Sequence, residues 1–269
     1  MYEDLFGLRE PAFNMTPDPR FMYFSGQHRE AMTLLCYGVQ SRCGFMQITG
    51  EIGAGKTTLC RTFLDQTQSK VHTALIFNPK MSESEMLEAI IEDFGVEPAL
   101  NGKKSCFDAL NRFLLREADK GMNAVVIIDE AQLLHPNVLE EIRLLSNLET
   151  ATKKLIQIIL VGQPELRDVL NRPELTQLRQ RITIRFHLTA LNRKDTFSYI
   201  QHRLNVAGSS GDYFTDEAVD RIYALSGGIP RVINTLANRA MMAAYTHHAR
   251  VITPSMVELA QADLEGILV

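Results

Sequence analysis

Gly44-Phe-Met-Gln-Ile-Thr-Gly50-Glu51-Ile52-Gly53-Ala54-Gly55-Lys56-Thr57-Thr58 is the stretch on which the fold turns. A short apolar, β-rich run enters a G-x-x-x-x-G-K-[ST] pattern, and the residues after it, 57 to 68, carry a helical pattern. Each residue type in the pattern has a physical task. Glycines let the backbone curl with its N–H groups turned inward, and the N-terminus of the following helix adds its positive dipole at the same point. In such a loop Lys56 bridges the β- and γ-phosphates of a nucleotide, and the Thr57 hydroxyl is a ligand for Mg²⁺.

Outward from this stretch, apolar runs recur at His72 to Phe77, Ala124 to Ile128 and Leu155 to Val161, separated by amphipathic segments at Glu83 to Phe94, Cys106 to Lys120 and Val138 to Leu148. A fifth strand candidate, Ile182 to Leu188, alternates Ile182, Ile184 and Phe186 with polar residues, as suits a strand nearer an edge. Strand alternating with helix predicts an α/β fold, a parallel five-stranded sheet covered by helices on both faces. Past Leu188 the strand signal stops. Asn192, Thr215 and Thr253-Pro254 read as helix starts, and Gly227-Gly228 ends one helix just before Pro230 opens another. We therefore expect an α/β domain over 1–188 and a small all-helical lid over 189–269.

Ala124-Val-Val-Ile-Ile-Asp129-Glu130 ends an apolar strand in two carboxylates, at the sheet edge where ligands collect. The chemistry calls for Asp129 on Mg²⁺ and Glu130 on the attacking water. Gln163, after the strand ending in Gly162, brings a neutral amide to the same edge, either as a contact for the γ-phosphate and water or as an ordinary turn residue. Asn78, after the second strand, is read either as a gate on Glu130 or as part of an Asn-Pro turn.

The chain of 269 residues carries 28 Lys and Arg against 32 Asp and Glu, a net charge of −4, so no overall basic field recommends it for nucleic acid. The four cysteines, Cys36, Cys43, Cys60 and Cys106, form no CxxC pair and read as reduced thiols. No apolar run approaches the roughly 20 residues of a membrane span, and the acidic start lacks the form of a signal peptide.

The phosphate-binding loop, the Asp-Glu pair, a polar residue ending the next strand and a helical C-terminal part together resemble the AAA+ P-loop NTPases. Phe6-Gly-Leu, Thr16-Pro-Asp-Pro, Asp129-Glu-Ala-Gln132, Asn147-Leu-Glu-Thr150, Gly162-Gln-Pro-Glu-Leu166 and Gly228-Ile-Pro-Arg231 narrow the resemblance to the ExeA/GspA group of secretion-associated ATPases, with short relatives resembling MshM. The resemblance implies ATP and Mg²⁺ as cofactors, with Gly50 to Thr58 on the nucleotide. It further implies Gln163 as sensor 1, Arg231 as a lid arginine on the phosphates, Tyr23 at the adenine, and Arg181 or Arg179, Arg181 preferred, as a finger completing a neighbour's site. The bland alternative for the stretch Arg172 to Arg185 is a solvated charged flank of an edge strand.

The implied assembly is an ATP-dependent homo-oligomer, a hexameric ring among its forms, with an inner-membrane secretion or pilus protein as partner. The implied place is the cytoplasm, at the inner membrane or as the cytosolic part of a longer membrane protein. Two other readings stand beside it, a DNA-associated regulator of the transposition-targeting type and a nucleotide-gated scaffold with little turnover.

Overall fold

A computed structural model describes residues 2–77, 79–97, 102–209 and 211–264. Its helices in chain order are α1 (Tyr2–Phe6), α2 (Gly26–Gln40), α3 (Lys56–Thr67), α4 (Glu83–Asp93), α5 (Lys103–Asp119), α6 (Pro136–Leu145), α7 (Glu165–Leu170), α8 (Thr176–Arg181), α9 (Arg193–Val206), α10 (Asp216–Ser226), α11 (Pro230–Thr246) and α12 (Pro254–Leu264). The strands are β1 (Phe45–Gly50), β2 (Val71–Ile76), β3 (Asn123–Ile128), β4 (Ile156–Gly162) and β5 (Ile182–Leu188). They form one five-stranded sheet in the order β2-β3-β4-β1-β5, with every pairing parallel. The chain divides into two compact units, Arg29–Gly50 with Leu59–Leu188, and Met1–His28 with Glu51–Thr58 and Thr189–Val269.

The first unit holds the sheet. Its inner strands are apolar at successive positions because both faces are covered. Ala124, Val126, Ile128, Ile156, Ile158 and Leu160 pack with Leu87, Ile90, Leu110, Leu114, Leu139 and Ile142 from α4, α5 and α6. The alternate residues Val125, Ile127, Ile159 and Val161 are just as buried. Each such aliphatic side chain contributes about 1.5 to 3 kcal/mol on burial. Helix α4 starts at Ser82, whose hydroxyl accepts from Glu85 N while the Glu85 carboxylate accepts from Ser82 N at 2.7 Å, a reciprocal cap. On edge strand β5, exposed Thr183 and Arg185 alternate with residues turned further inward, which leaves a polar edge unattractive for pairing.

The second unit is built by α9 to α12 with the N-terminal 28 residues. The sequence reading grouped those residues with the sheet; here Tyr2, Phe6, Leu8, Phe13 and Phe21 share an apolar cluster with Tyr199, Ile200, Leu204, Leu236 and Met241. Arg203 secures the segment although only 6% exposed. Its guanidinium donates to the carbonyls of Ala12 and Asn14 and to the Tyr199 hydroxyl, and lies 4.7 Å from the centre of the Phe21 ring. A buried cation with this many partners holds its position instead of opening the core.

Gly228 fixes the turn between α10 and α11. Its φ is +75°, its carbonyl accepts from Leu191 N at 2.9 Å, and a Cβ there would fall on Leu191 O. Gly227 beside it has φ +58° but open space around the same position. Gly228→Ala is expected to cost about 3 kcal/mol, left-handed strain plus overlap, and Gly227→Ala about 1 kcal/mol, strain alone. Denaturant midpoints of the two variants check this; equal losses would show that the close approach to Leu191 is not what fixes the turn.

Candidate functional site

The phosphate-loop pattern is the connection from β1 to α3, and residues 51–58 belong to the helical unit. The loop is drawn in on itself: Ala54 N donates to Glu51 O at 3.1 Å, and the Lys56 ammonium reaches back to the same carbonyl at 2.9 Å. Lys56 is 6% exposed, so a cation is held inside the curl. Gly53 has φ +81°, and a Cβ on it would fall on the Arg231 side chain. Its carbonyl accepts from Arg231 N at 3.2 Å, so the first turn of α11 rests against the loop. Lys56, Thr57 and Thr58 open α3, and the N-terminus of a helix carries the positive end of its dipole. A buried ammonium, an inward-curled glycine loop and a helix N-terminus form a donor set that fits a nucleotide polyphosphate.

His28 supports this loop from beneath. Its Nδ1 pairs with Ser25 Oγ at 2.7 Å, and its Nε2 lies 3.2 Å from the point a Cβ on Gly55 would occupy. Burial holds the imidazole below its ordinary range, with a bond to the Ala54 backbone and the charge of Asp195 pulling the other way. A neutral ring therefore props the loop near pH 7 and adds no charge beneath it. The family resemblance implies that the segment Phe21 to His28 lines the adenine pocket, with His28 at its end. Within that stretch the Tyr23 hydroxyl donates to Asp195 Oδ1 at 3.0 Å, and its ring meets that of Tyr199 edge-on at 6.2 Å.

At the C-terminal ends of β3 and β4, in the sheet unit, two sequence-predicted residues come together. Asp129 is 4% exposed, and its carboxylate accepts from Glu130 N at 2.9 Å. Glu130 sits at φ +52°, uncommon for a residue with a side chain and of the kind that clusters at functional sites. Its Oε2 accepts from Gln163 Nε2 at 3.0 Å and from Gln132 Nε2 at 2.5 Å, while Gln132 Oε1 accepts from Gln163 N at 3.1 Å. Two amides thus fix one carboxylate oxygen and lock each other in place. Gln132 was read only as part of a resembling motif; its partner stands 31 positions along the chain.

The arginines differ in how they are held. Arg181 Nη1 donates to Ser146 Oγ at 2.7 Å and to Asn147 Oδ1 at 2.6 Å, both in the turn after α6. Arg179 Nη1 has one acceptor, Asn171 Oδ1 at 3.2 Å. The preference for Arg181 as a group reaching outward therefore meets a competing set of bonds inside its own unit. Asn78 lies outside the described residues.

Residues 39–170 match the AAA domain family. General secretion pathway protein A of Aeromonas hydrophila is 44% identical to the chain over 268 residues, 99% of this chain and 49% of that protein. The chain is a GspA-like AAA protein. It spans about half the length of this curated relative. Among solved structures, the ORC2 protein of Aeropyrum pernix in its ADPNP–ADP complexes superposes with a TM-score of 0.72 at 16% identity, covering 97% of this chain and 72% of that one. Cdc6p of Pyrobaculum aerophilum gives 0.71 at 16% identity over 94% and 70%, and the RuvB Holliday junction branch migration motor of Thermotoga maritima 0.60 at 19% over 90% and 69%. At such identities the likeness fixes the fold alone: an AAA P-loop NTPase with a helical C-terminal region. Among the described residues no helix is long and apolar enough to cross a membrane.

Proposed function

We propose that the chain is an Mg²⁺-dependent ATPase whose nucleotide cycle serves assembly of an envelope secretion or pilus system. The observation that carries the catalytic part is the Glu130 carboxylate, held on one oxygen by Gln132 and Gln163 at the sheet edge from which the glycine loop also leaves. A carboxylate fixed in this way keeps its other oxygen for a water proton, the task of a hydrolytic general base. Lys56 and the first amides of α3 would hold the β- and γ-phosphates, and Arg231 would add a second cation from the start of α11. Thr57 and Asp129 are the proposed ligands of Mg²⁺, which when bound offsets phosphate charge. Tyr23 is retained as the adenine contact. The relative's name supports the secretion role, and the nucleotide complexes of the structural neighbour support ATP.

Phosphate release followed with Mg²⁺, with chelator and with Lys56→Ala protein tests the reading. Turnover is expected to need the metal and to be lost in Lys56→Ala, with ATP affinity down at least about tenfold, because removing a buried cation from a polyanion site costs upward of about 1.4 kcal/mol. Duplex DNA added at moderate salt is expected to change turnover less than about twofold. A tenfold, salt-sensitive stimulation would replace secretion with the DNA-associated reading. Turnover that survives chelation or Lys56→Ala would remove the site assignment itself.

A further inference from the structure

A cavity of about 430 Å³ lies wholly within the sheet unit, between β1 and β5 on one side and α7 and α8 on the other. Arg167, Arg179, Arg185 and His187 line it, and no carboxylate does. Among the described residues none of the three guanidiniums is paired with an Asp or Glu. Two of them are held by neutral groups: Arg179 on Asn171 Oδ1 at 3.2 Å, and Arg185 Nη2 on Arg179 O at 2.6 Å. Three cations gathered around one hollow repel each other, and a bound anion relieves that repulsion. Guanidinium forks match phosphate oxygens two bonds at a time.

The floor gives an independent sign. Gln47 on β1 is 5% exposed as a residue and lines the cavity. An amide open to the hollow presents two donor hydrogens and an acceptor oxygen to whatever enters it. Beside it Thr49 Oγ1 bonds His187 Nδ1 at 3.0 Å, which fixes the ring, while Leu170, Ile182 and Phe186 supply apolar wall. A basic rim, an amide on the floor and an apolar wall suit a small ligand with an anionic end and an organic body.

We propose that this cavity binds a phosphate-bearing ligand of nucleotide size, at a site separate from the glycine loop. Its rim would take the phosphates, and Gln47 would read a polar edge of the organic part. The site shares none of its residues with the loop or the Glu130 group; Arg179 is its one residue that also enters the hydrolytic reading, and the test leaves Arg179 unchanged.

The test is calorimetric titration of Lys56→Ala protein, in which the loop site is silenced, with inorganic pyrophosphate and separately with ADP. Pyrophosphate is expected to bind at one site per chain. Adding Arg167→Ala and Arg185→Ala should weaken it at least tenfold while the thermal midpoint stays within a few degrees, since both side chains are exposed and neither packs in the core. ADP is expected to bind more tightly than pyrophosphate, and Gln47→Leu to erase that difference without touching pyrophosphate. Absence of pyrophosphate binding in Lys56→Ala protein, or binding indifferent to the arginine pair, overturns the site. Equal binding of the two ligands overturns the organic-body assignment.

Discussion

Glu130→Gln is expected to bind ATP as the parent does and to hydrolyse it about a thousandfold more slowly. The substitution keeps shape: a glutamine at 130 can still accept from Gln132 and Gln163 through its carbonyl oxygen, at the positions where Oε2 now accepts at 2.5 and 3.0 Å. What it removes is the basic oxygen that takes a proton from water, and a positioned general base contributes about 10² to 10⁴ in rate. The binding groups, Lys56 and the α3 amides, belong to a different stretch of chain and keep their geometry. Fluorescent-nucleotide titration beside steady-state phosphate release separates the two effects. Loss of binding would make Glu130 a structural support of the loop. Turnover within tenfold of the parent would remove it as the base.

The parts of this molecule that local sequence reveals are those whose physics is local. The strand cores read correctly because a parallel strand buried on both faces is apolar at consecutive positions, as Val125 to Ile128 are. The glycine loop and Asp129-Glu130 stand out in the sequence because the residues proposed for their chemistry are neighbours in the chain. Helix α2 escaped although Ser25 gives a start signal, its Oγ accepting from His28 N at 3.3 Å. Glycines at both 26 and 38 and an exposed Tyr37 blur its amphipathic pattern. The grouping of residues 1–28 with the helices depends on contacts such as that of Tyr2 with Asn238, 236 positions apart, which no window of sequence contains. The choice between Arg179 and Arg181 was likewise closed to spacing, because it turns on which one finds acceptors near α6.

That choice decides the final prediction. A finger must leave its own subunit to reach a neighbour's phosphate, and each bond it makes at home opposes the move. Arg181 has two short bonds to Ser146 and Asn147, while Arg179 has one longer bond to Asn171, so Arg179 becomes the trans-acting candidate. Arg179→Ala is expected to keep ATP affinity and lose about a thousandfold in turnover, the lower side of what such arginines supply. Arg181→Ala should instead act through stability, freeing the turn that follows α6. Mixing separates a trans role from a local one. Random assembly of equal amounts of Arg179→Ala and Lys56→Ala protein pairs an intact loop with an intact finger at about a quarter of head-to-tail interfaces, so two nearly inactive proteins should together recover up to about a quarter of parental turnover. A mixture no more active than its components, with mass measurement showing that they co-assemble, would leave Arg179 acting within its own chain.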